Sequence, residues 1–255
     1  MKLLFIGDVV GQGGCDFLRE HLPAWKREHG VDLVVANGEN SAVGNGLLPH
    51  SADHLFTSGV DVITTGNHAF RRRESFPLYD SCEFLIRPAN YGPEAPGRGV
   101  CVVDFGAYRF AVVNLMGVVY LDPLDNPFRT IDRILEDLDT PNILVDFHAE
   151  ATAEKRAMGF HLAGRVSAVL GTHTHVQTAD EQILAGGTGY ITDAGMSGPK
   201  DTVLGVKPEL AIRMLQTHLP VRFENGENAC SMQGVLLQID EKNGKCTEIT
   251  RICFD

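Results

Sequence analysis

Short apolar runs alternate with amphipathic stretches along most of this chain. The runs are Leu3–Ile6, Leu33–Ala36, Val60–Thr65, Phe84–Ile86, Ile143–Phe147 and Ala168–Gly171, each of a length and composition that suits a buried strand. Between several of them, polar and apolar positions at helical spacing predict helices over Cys15–Glu28, Pro49–Ser58, Thr130–Leu138 and Thr152–Ala163. In the first of these, Phe17, Leu18, Leu22 and Trp25 form a stripe best explained by core packing. Buried strands separated by helices are the signature of a layered α/β fold. Two segments depart from the alternation. Val100–Phe105 and Arg109–Leu115 flank Gly106-Ala107-Tyr108, and Gly234–Asp240 and Cys246–Cys253 flank Asn243-Gly244; both read as hairpins, the second on the strongest short turn signal. The expected fold is α/β, with two mixed sheets packed face to face and helices outside. No repeat, low-complexity tract or linker interrupts the chain, so a single domain over residues 1–255 is expected.

Bulk properties narrow the partners. A chain of 255 residues with 44% hydrophobic and 22% charged positions is ordinary globular material, able to bury a large core. With 22 Lys and Arg against 33 Asp and Glu, a net charge of −11 argues against a groove for a nucleic-acid polymer. It leaves room for a small phosphorylated substrate, because bound metal cations reverse the local sign. The six cysteines form no C-x-x-C pair, and no spacing suggests a thiolate metal site. The apolar start is too short for a signal peptide or a membrane span, so a cytoplasmic chain with reduced thiols is expected. The apolar hairpins fit either core or an interface in a homo-oligomer.

Five apolar runs end in polar clusters: Gly7-Asp8-Val9-Val10, Asn37-Gly38-Glu39-Asn40, Gly66-Asn67-His68, His148-Ala149-Glu150 and Gly171-Thr172-His173-Thr174-His175. Ligands bind where the carboxyl ends of strands converge on one crevice. Taken singly, each cluster has a plainer reading: Asp8 as a cap, Asn40 and Asn67 as turn residues, Glu39 as a solvated carboxylate, His148 as a hydrogen-bonded core histidine. The His173-Thr174-His175 pair differs, because positions two apart on an extended segment face one way. The recurrence of clusters at strand ends favours metal binding. Carboxylate, amide and imidazole ligands without thiolate suit Mn, Fe, Zn, Ni or Co. Seven candidate ligands are too many for one tetrahedral ion and about right for two. Asp146 and Glu150, flanking His148, are candidates to orient a ligand imidazole, and strand alternation turns Asp146 to the same face as His148. Arg71-Arg72-Arg73 could meet phosphate but reads equally well as a solvated face. His21 and His161 read as surface residues.

The ordered set Asp8, Asn37-Gly38-Glu39-Asn40, Gly66-Asn67-His68, His148 and Gly171-Thr172-His173-Thr174-His175 resembles the calcineurin-like metallophosphoesterase superfamily. Val10 stands where that superfamily has the histidine of D-x-H, and Ala69 where it has an acid after G-N-H. These substitutions, with Thr192-Asp193-Ala194-Gly195-Met196-Ser197-Gly198, resemble the small bacterial YmdB-type phosphodiesterase branch, whose members hydrolyse cyclic nucleotides. In that branch Asn67-His68 is usually followed by a sequence like Thr-Trp-Asp, whereas Ala69-Phe70-Arg71 follows here.

The resemblance implies a binuclear phosphoesterase. Asp8, Glu39, Asn40 and His175 would hold one ion and Glu39, Asn67, His148 and His173 the other, with Glu39 bridging. The ions would be iron or manganese, with zinc, nickel, cobalt or magnesium as alternatives. It further implies a phosphodiesterase acting on 2′,3′-cyclic nucleotides, with 3′,5′-cyclic nucleotides as a further substrate class. A hydroxide between the ions would attack phosphorus, and His68 would act as general acid. The alternatives are a phosphomonoesterase on the same site, a lactamase-like hydrolase, and a regulatory or scaffold protein with a low-activity metal site. The lactamase-like reading is weak, since it wants Asp-His where Gln177-Thr178 stand.

Overall fold

The computed structural model describes residues 1–227 and 229–255. In chain order, the first half runs β1 (Lys2–Ile6), β2 (Asp8–Val9), α1 (Gly11–His29), β3 (Leu33–Asn37), α2 (Pro49–Thr57), β4 (Val62–Thr64), α3 (Phe76–Ser81), β5 (Val100–Asp104) and β6 (Arg109–Met116). The second half runs α4 (Pro127–Asp137), β7 (Ile143–His148), α5 (Thr152–His161), β8 (Ala168–Thr172), β9 (Gln182–Leu184), β10 (Thr188–Ile191), β11 (Met196–Pro199), α6 (Pro208–Thr217), β12 (Cys230–Asp240) and β13 (Lys245–Phe254).

Two mixed sheets result. One has the order β2-β11-β12-β1-β3-β4 with β13 paired to β12; the other has the order β5-β6-β7-β8-β10-β9. Within the first, β1, β3 and β4 are parallel, with Leu3 opposite Leu33 and Val35 opposite Val62. Within the second, β6, β7, β8 and β10 are parallel. Strand alternation divides the apolar residues between two faces. Leu3, Phe5, Leu33, Val35 and Val62 meet Phe110, Val112, Leu144, Ala168 and Leu170 in a core shared by both sheets. The alternate positions Leu4, Ile6, Val34, Ala36 and Ile63 pack outward on Leu18, Leu22 and Trp25 of α1 and Leu55 of α2. On the opposite side, Val113, Leu115, Val145 and Phe147 pack on Ile131 of α4 and Met158 of α5. The layers are therefore helix, sheet, sheet, helix, as the sequence predicts.

The differences from expectation are local. α1 begins at Gly11, because the Gly11 N–H donates to the Asn40 carbonyl (2.8 Å) and tertiary contact overrides the low helix propensity of the glycine-rich lead. α4 begins at Pro127 behind Asn126, whose side chain accepts from the Phe128 and Arg129 N–H groups, an N-cap with proline at N1. Phe84–Ile86 forms only an isolated bridge from Leu85 to Ile63; Pro88, two residues on, has no N–H to extend a ladder. The apolar hairpins belong to the core: Val235, Leu237 and Ile239 of β12 and Phe110 and Val112 of β6 are buried between the sheets. Among the described residues, no helix is long and apolar enough to cross a membrane.

Phe5 is fully buried where the two sheets meet. Phe5→Ala should cost about 3–5 kcal/mol, read as a lower urea midpoint with an unchanged slope; a loss under about 1 kcal/mol would contradict a shared core.

Candidate metal centre

The parallel strands β1, β3, β4, β7 and β8 all point their carboxyl ends to one edge of the two sheets, and all seven predicted ligands lie there. At this end the layer between the sheets changes from apolar to polar. Asn37, Thr64, Asn114, Asp146, His148 and Thr172 are all fully buried.

The ligand candidates fall into two groups around Glu39. In the first, His148 Nε2 is 2.9 Å from Asn67 Oδ1 and 3.1 Å from His173 Nδ1, which is itself 3.1 Å from Asn67 Oδ1. In the second, His175 Nε2 lies 3.6 Å from Asp8 Oδ1 and 3.2 Å from Asn40 Nδ2. Glu39 Oε1 is 3.3 Å from His148 Nε2 on one side and accepts from Asn40 Nδ2 (3.2 Å) on the other.

Each histidine is held from behind. Thr172 Oγ1 donates to Asp146 Oδ1 (2.7 Å) and so must accept from His148 Nδ1 (2.9 Å). His173 Nε2 faces Glu150 Oε2 at 2.9 Å, and His175 Nδ1 donates to the Leu204 carbonyl (3.1 Å). In each case the outward nitrogen carries the proton, so the inward one presents a lone pair, the arrangement of metal-ligating histidines. Both flanking carboxylates thus contribute, by different routes: Glu150 directly to His173, and Asp146 to His148 through Thr172.

The arrangement fits a metal on its own evidence. Two imidazole nitrogens and an amide oxygen about 3 Å apart repel one another unless a proton or cation sits among them. Asp8 Oδ1 is buried with no hydrogen-bond partner among the described residues, the state of a carboxylate oxygen whose partner is an ion. Glu39, His148 and His173 offer ligand atoms close enough to hold a single ion.

The electrostatics agree. Burial pushes the His148 imidazole down, but the Glu39 carboxylate beside it, with Asp8 and Asp146 nearby, raises it to about 9. Burial disfavours charge on Glu39, yet His148 and His68 hold it well below the usual carboxylate range. Asp8 is likewise lowered, because His175 and His148 outweigh its burial. Burial, then the charge of His148, lowers His173. His175 is raised, its burial outweighed by Asp8. Burial lifts Asp146 to about 6 despite His148 and the hydroxyls of Thr64 and Thr172.

The expectation of an extended His173-Thr174-His175 segment is corrected. β8 ends at Thr172, and His173 and His175 have φ of +103° and +61°, so the two imidazoles diverge to the two groups instead of sharing one face. This left-handed geometry is costly for residues other than glycine and is clamped at several points. The His173 N–H donates to Asp8 Oδ2 (3.1 Å) and the Thr174 N–H to Asp193 Oδ2 (3.0 Å). Asp193 is in turn buried against Lys155 Nζ at 2.7 Å. Asp193 and Thr172 fall within motif stretches, but the sequence leaves their roles unread; Lys155 is unmarked, since nothing in its local sequence separates it from other helix residues.

The two departures from the superfamily pattern have physical accounts. Val10 is buried under Gly205, where an added Cβ would lie 2.6 Å from Val10 Cγ1, and the adjacent Leu204 supplies the carbonyl that holds His175. The vacant ligand position is therefore packed by a loop. His68 needs no acid at position 69, because its Nδ1 is 2.9 Å from Asn40 Oδ1 and 3.3 Å from Glu39 Oε1. Ala69 is buried and its carbonyl accepts from the Tyr79 hydroxyl (3.0 Å). The Arg72 guanidinium donates to the Val43, Gly44 and Asn45 carbonyls.

A sequence model of the YmdB-like protein family matches residues 4–252. The chain belongs to the YmdB-like protein family. It is 46% identical to the Bacillus subtilis protein named 2′,3′-cyclic-nucleotide 2′-phosphodiesterase, across all of this chain and 97% of that one. A Thermus thermophilus crystal structure of a hypothetical protein superposes with a TM-score of 0.95 at 40% identity, covering all of this chain and 99% of that one. A more distant likeness is to the Thermus thermophilus sulfate thiohydrolase SoxB, with a TM-score of 0.57 at 13% identity over 98% of this chain and 43% of that one. The fold of this family member is of the metallophosphoesterase type.

Gly66 shows how tightly the centre is built: a Cβ there would meet the His148 ring at 2.2–2.4 Å. Gly66→Ala should weaken metal binding by about tenfold or more, measured by titration calorimetry; unchanged affinity would show that His148 is not a ligand.

Proposed function

We propose that this chain, acting as one unit over residues 1–255, is a binuclear metal-dependent phosphodiesterase that hydrolyses cyclic nucleotides in the cytoplasm. The observation that carries this reading is the pair of ligand groups, Asp8, Asn40 and His175 on one side and Asn67, His148 and His173 on the other, with Glu39 reaching both. Two transition-metal ions, iron or manganese by ligand type, would supply Lewis acidity to the phosphoryl oxygens and an acidified water as nucleophile. The relative from Bacillus subtilis, named for 2′,3′-cyclic nucleotides, supports the same class of substrate here; 3′,5′-cyclic nucleotides are a second substrate class to test.

The chain's own part is positioning and proton transfer. Hydrolysis forms a bond from phosphorus to the water oxygen and breaks one bond from phosphorus to a ribose oxygen, which must then gain a proton. His68 is placed to give it: its side chain is about a quarter exposed, with Nδ1 turned inward to Asn40 and Glu39, which leaves Nε2 for the leaving group. Asn40 now presents its amide nitrogen to His175 and its oxygen to His68. Turned over, its oxygen would serve the ion held by Asp8 and His175 while its NH2 donated to His68 Nδ1, fixing the His68 proton on Nε2.

His68→Ala should keep both ions, by metal analysis, and lose about 10²–10⁴-fold in turnover of adenosine 2′,3′-cyclic phosphate. Full activity in that variant would remove His68 from the mechanism, and metal content without turnover of any phosphoester would favour a regulatory protein. Because His148 holds its proton up to about pH 9 in the metal-free chain, binding must displace it. Apparent affinity should therefore rise about tenfold per pH unit from pH 6 to 8 and level off above about 9; an affinity independent of pH would contradict this.

A further inference from the structure

A cavity of about 730 Å³ is walled by Val10, Val43 and Arg72 and, from a second segment, by Arg222, Phe223 and Asn225. The first wall is made of segments that leave the centre directly: Val10 follows Asp8, Val43 follows Asn40 and Arg72 follows His68. Hydrogen bonds join them into one surface, from the Gly11 N–H to the Asn40 carbonyl at 2.8 Å and from Arg72 Nη2 to the Val43 carbonyl at 2.6 Å. Its volume lies within the usual range for small-molecule sites, about 300–1,000 Å³.

The charges in it are unusual for a chain of net charge −11. Arg72 bonds only backbone carbonyls, so its charge is not neutralised. Arg222 is exposed and has no hydrogen bond or ion pair with any described residue. The two acids on the same wall, Glu224 and Glu227, are engaged by Lys207 Nζ at 3.0 and 3.4 Å. Beside Arg222, Phe223 is 43% exposed. Guanidinium groups pair with phosphate oxygens, and an exposed aromatic ring is a platform for a nucleobase.

We propose that this cavity binds a second nucleotide unit, with Arg222 on its phosphate and Phe223 on its base, and that the preferred substrates are short oligoribonucleotides ending in a 2′,3′-cyclic phosphate. This rests on the phosphodiesterase reading above. Such ends form when a ribose 2′-hydroxyl attacks the neighbouring phosphodiester, so the reaction supplying the substrate is RNA cleavage by transesterification. The acidic surface elsewhere restricts the ligand to a unit or two beyond the scissile ester.

The test is steady-state kinetics of the metal-loaded protein on adenosine 2′,3′-cyclic phosphate and on the dinucleotide ApA with the same cyclic end. Wild-type protein should show a KM about tenfold lower for the dinucleotide, the worth of about one charge-assisted contact. Arg222→Ala and Phe223→Ala should each raise that KM toward the mononucleotide value, leaving mononucleotide kinetics within about twofold. Equal KM values for the two substrates in wild-type protein, or equal losses on both in the variants, would overturn the subsite while leaving the phosphodiesterase standing. No hydrolysis of either substrate by wild-type protein would overturn both.

Discussion

Lone pairs that point at one another need a cation between them, and the rest of this structure is arranged around that requirement. His148, His173 and Asn67 bring two nitrogens and an oxygen to within about 3 Å, and Asp8 adds a buried carboxylate oxygen with no hydrogen bond from any described residue. In a site shielded from water this repulsion is severe. A proton on His148 relieves it in the bare chain, and a metal ion relieves it more fully, so the unfavourable packing of the ligands is itself the source of selectivity for a cation.

Holding such groups in place is the work of the surroundings. Both sheets lend strand ends to the centre, and each imidazole is fixed from behind by an oxygen: Thr172 for His148, Glu150 for His173 and the Leu204 carbonyl for His175. The strained turn that separates His173 from His175 is clamped by Asp8 and by Asp193, which Lys155 accompanies into the interior. Lys155 and Asp193 lie in full burial, where removing either partner would leave an uncompensated charge. The pair therefore serves the turn only as long as it is intact.

Much of this was legible in the residues. Short continuous apolar runs such as Leu3–Ile6, set between helical stretches, are a buried-strand signal, and with the two hairpins they point to the two-sheet layering. The seven ligand candidates were legible because each follows an apolar run in a motif whose order matches a known superfamily. Short strands such as β2 and β11 were not, since two to four residues leave no period to read. Nor was the turn at His173, because its left-handed backbone comes from distant clamps and not from local propensity. Arg72 reads by type as either a phosphate contact or a solvated residue; its guanidinium donates to the carbonyls of the Val43–Asn45 loop, a partner set that residue type alone does not reveal.

Asp146 has a consequence beyond orienting one imidazole. Its carboxylate takes hydroxyl bonds from Thr64 of one sheet and Thr172 of the other, and an amide bond from Asn37. A buried bridge of this kind opposes sliding of one sheet past the other, since any shear would break bonds that have no water to replace them. Domain-scale gating is thus closed to this scaffold at the reacting end. Variation in substrate preference among relatives must then be written in the loops that surround the strand ends, where sequence can change without moving the frame.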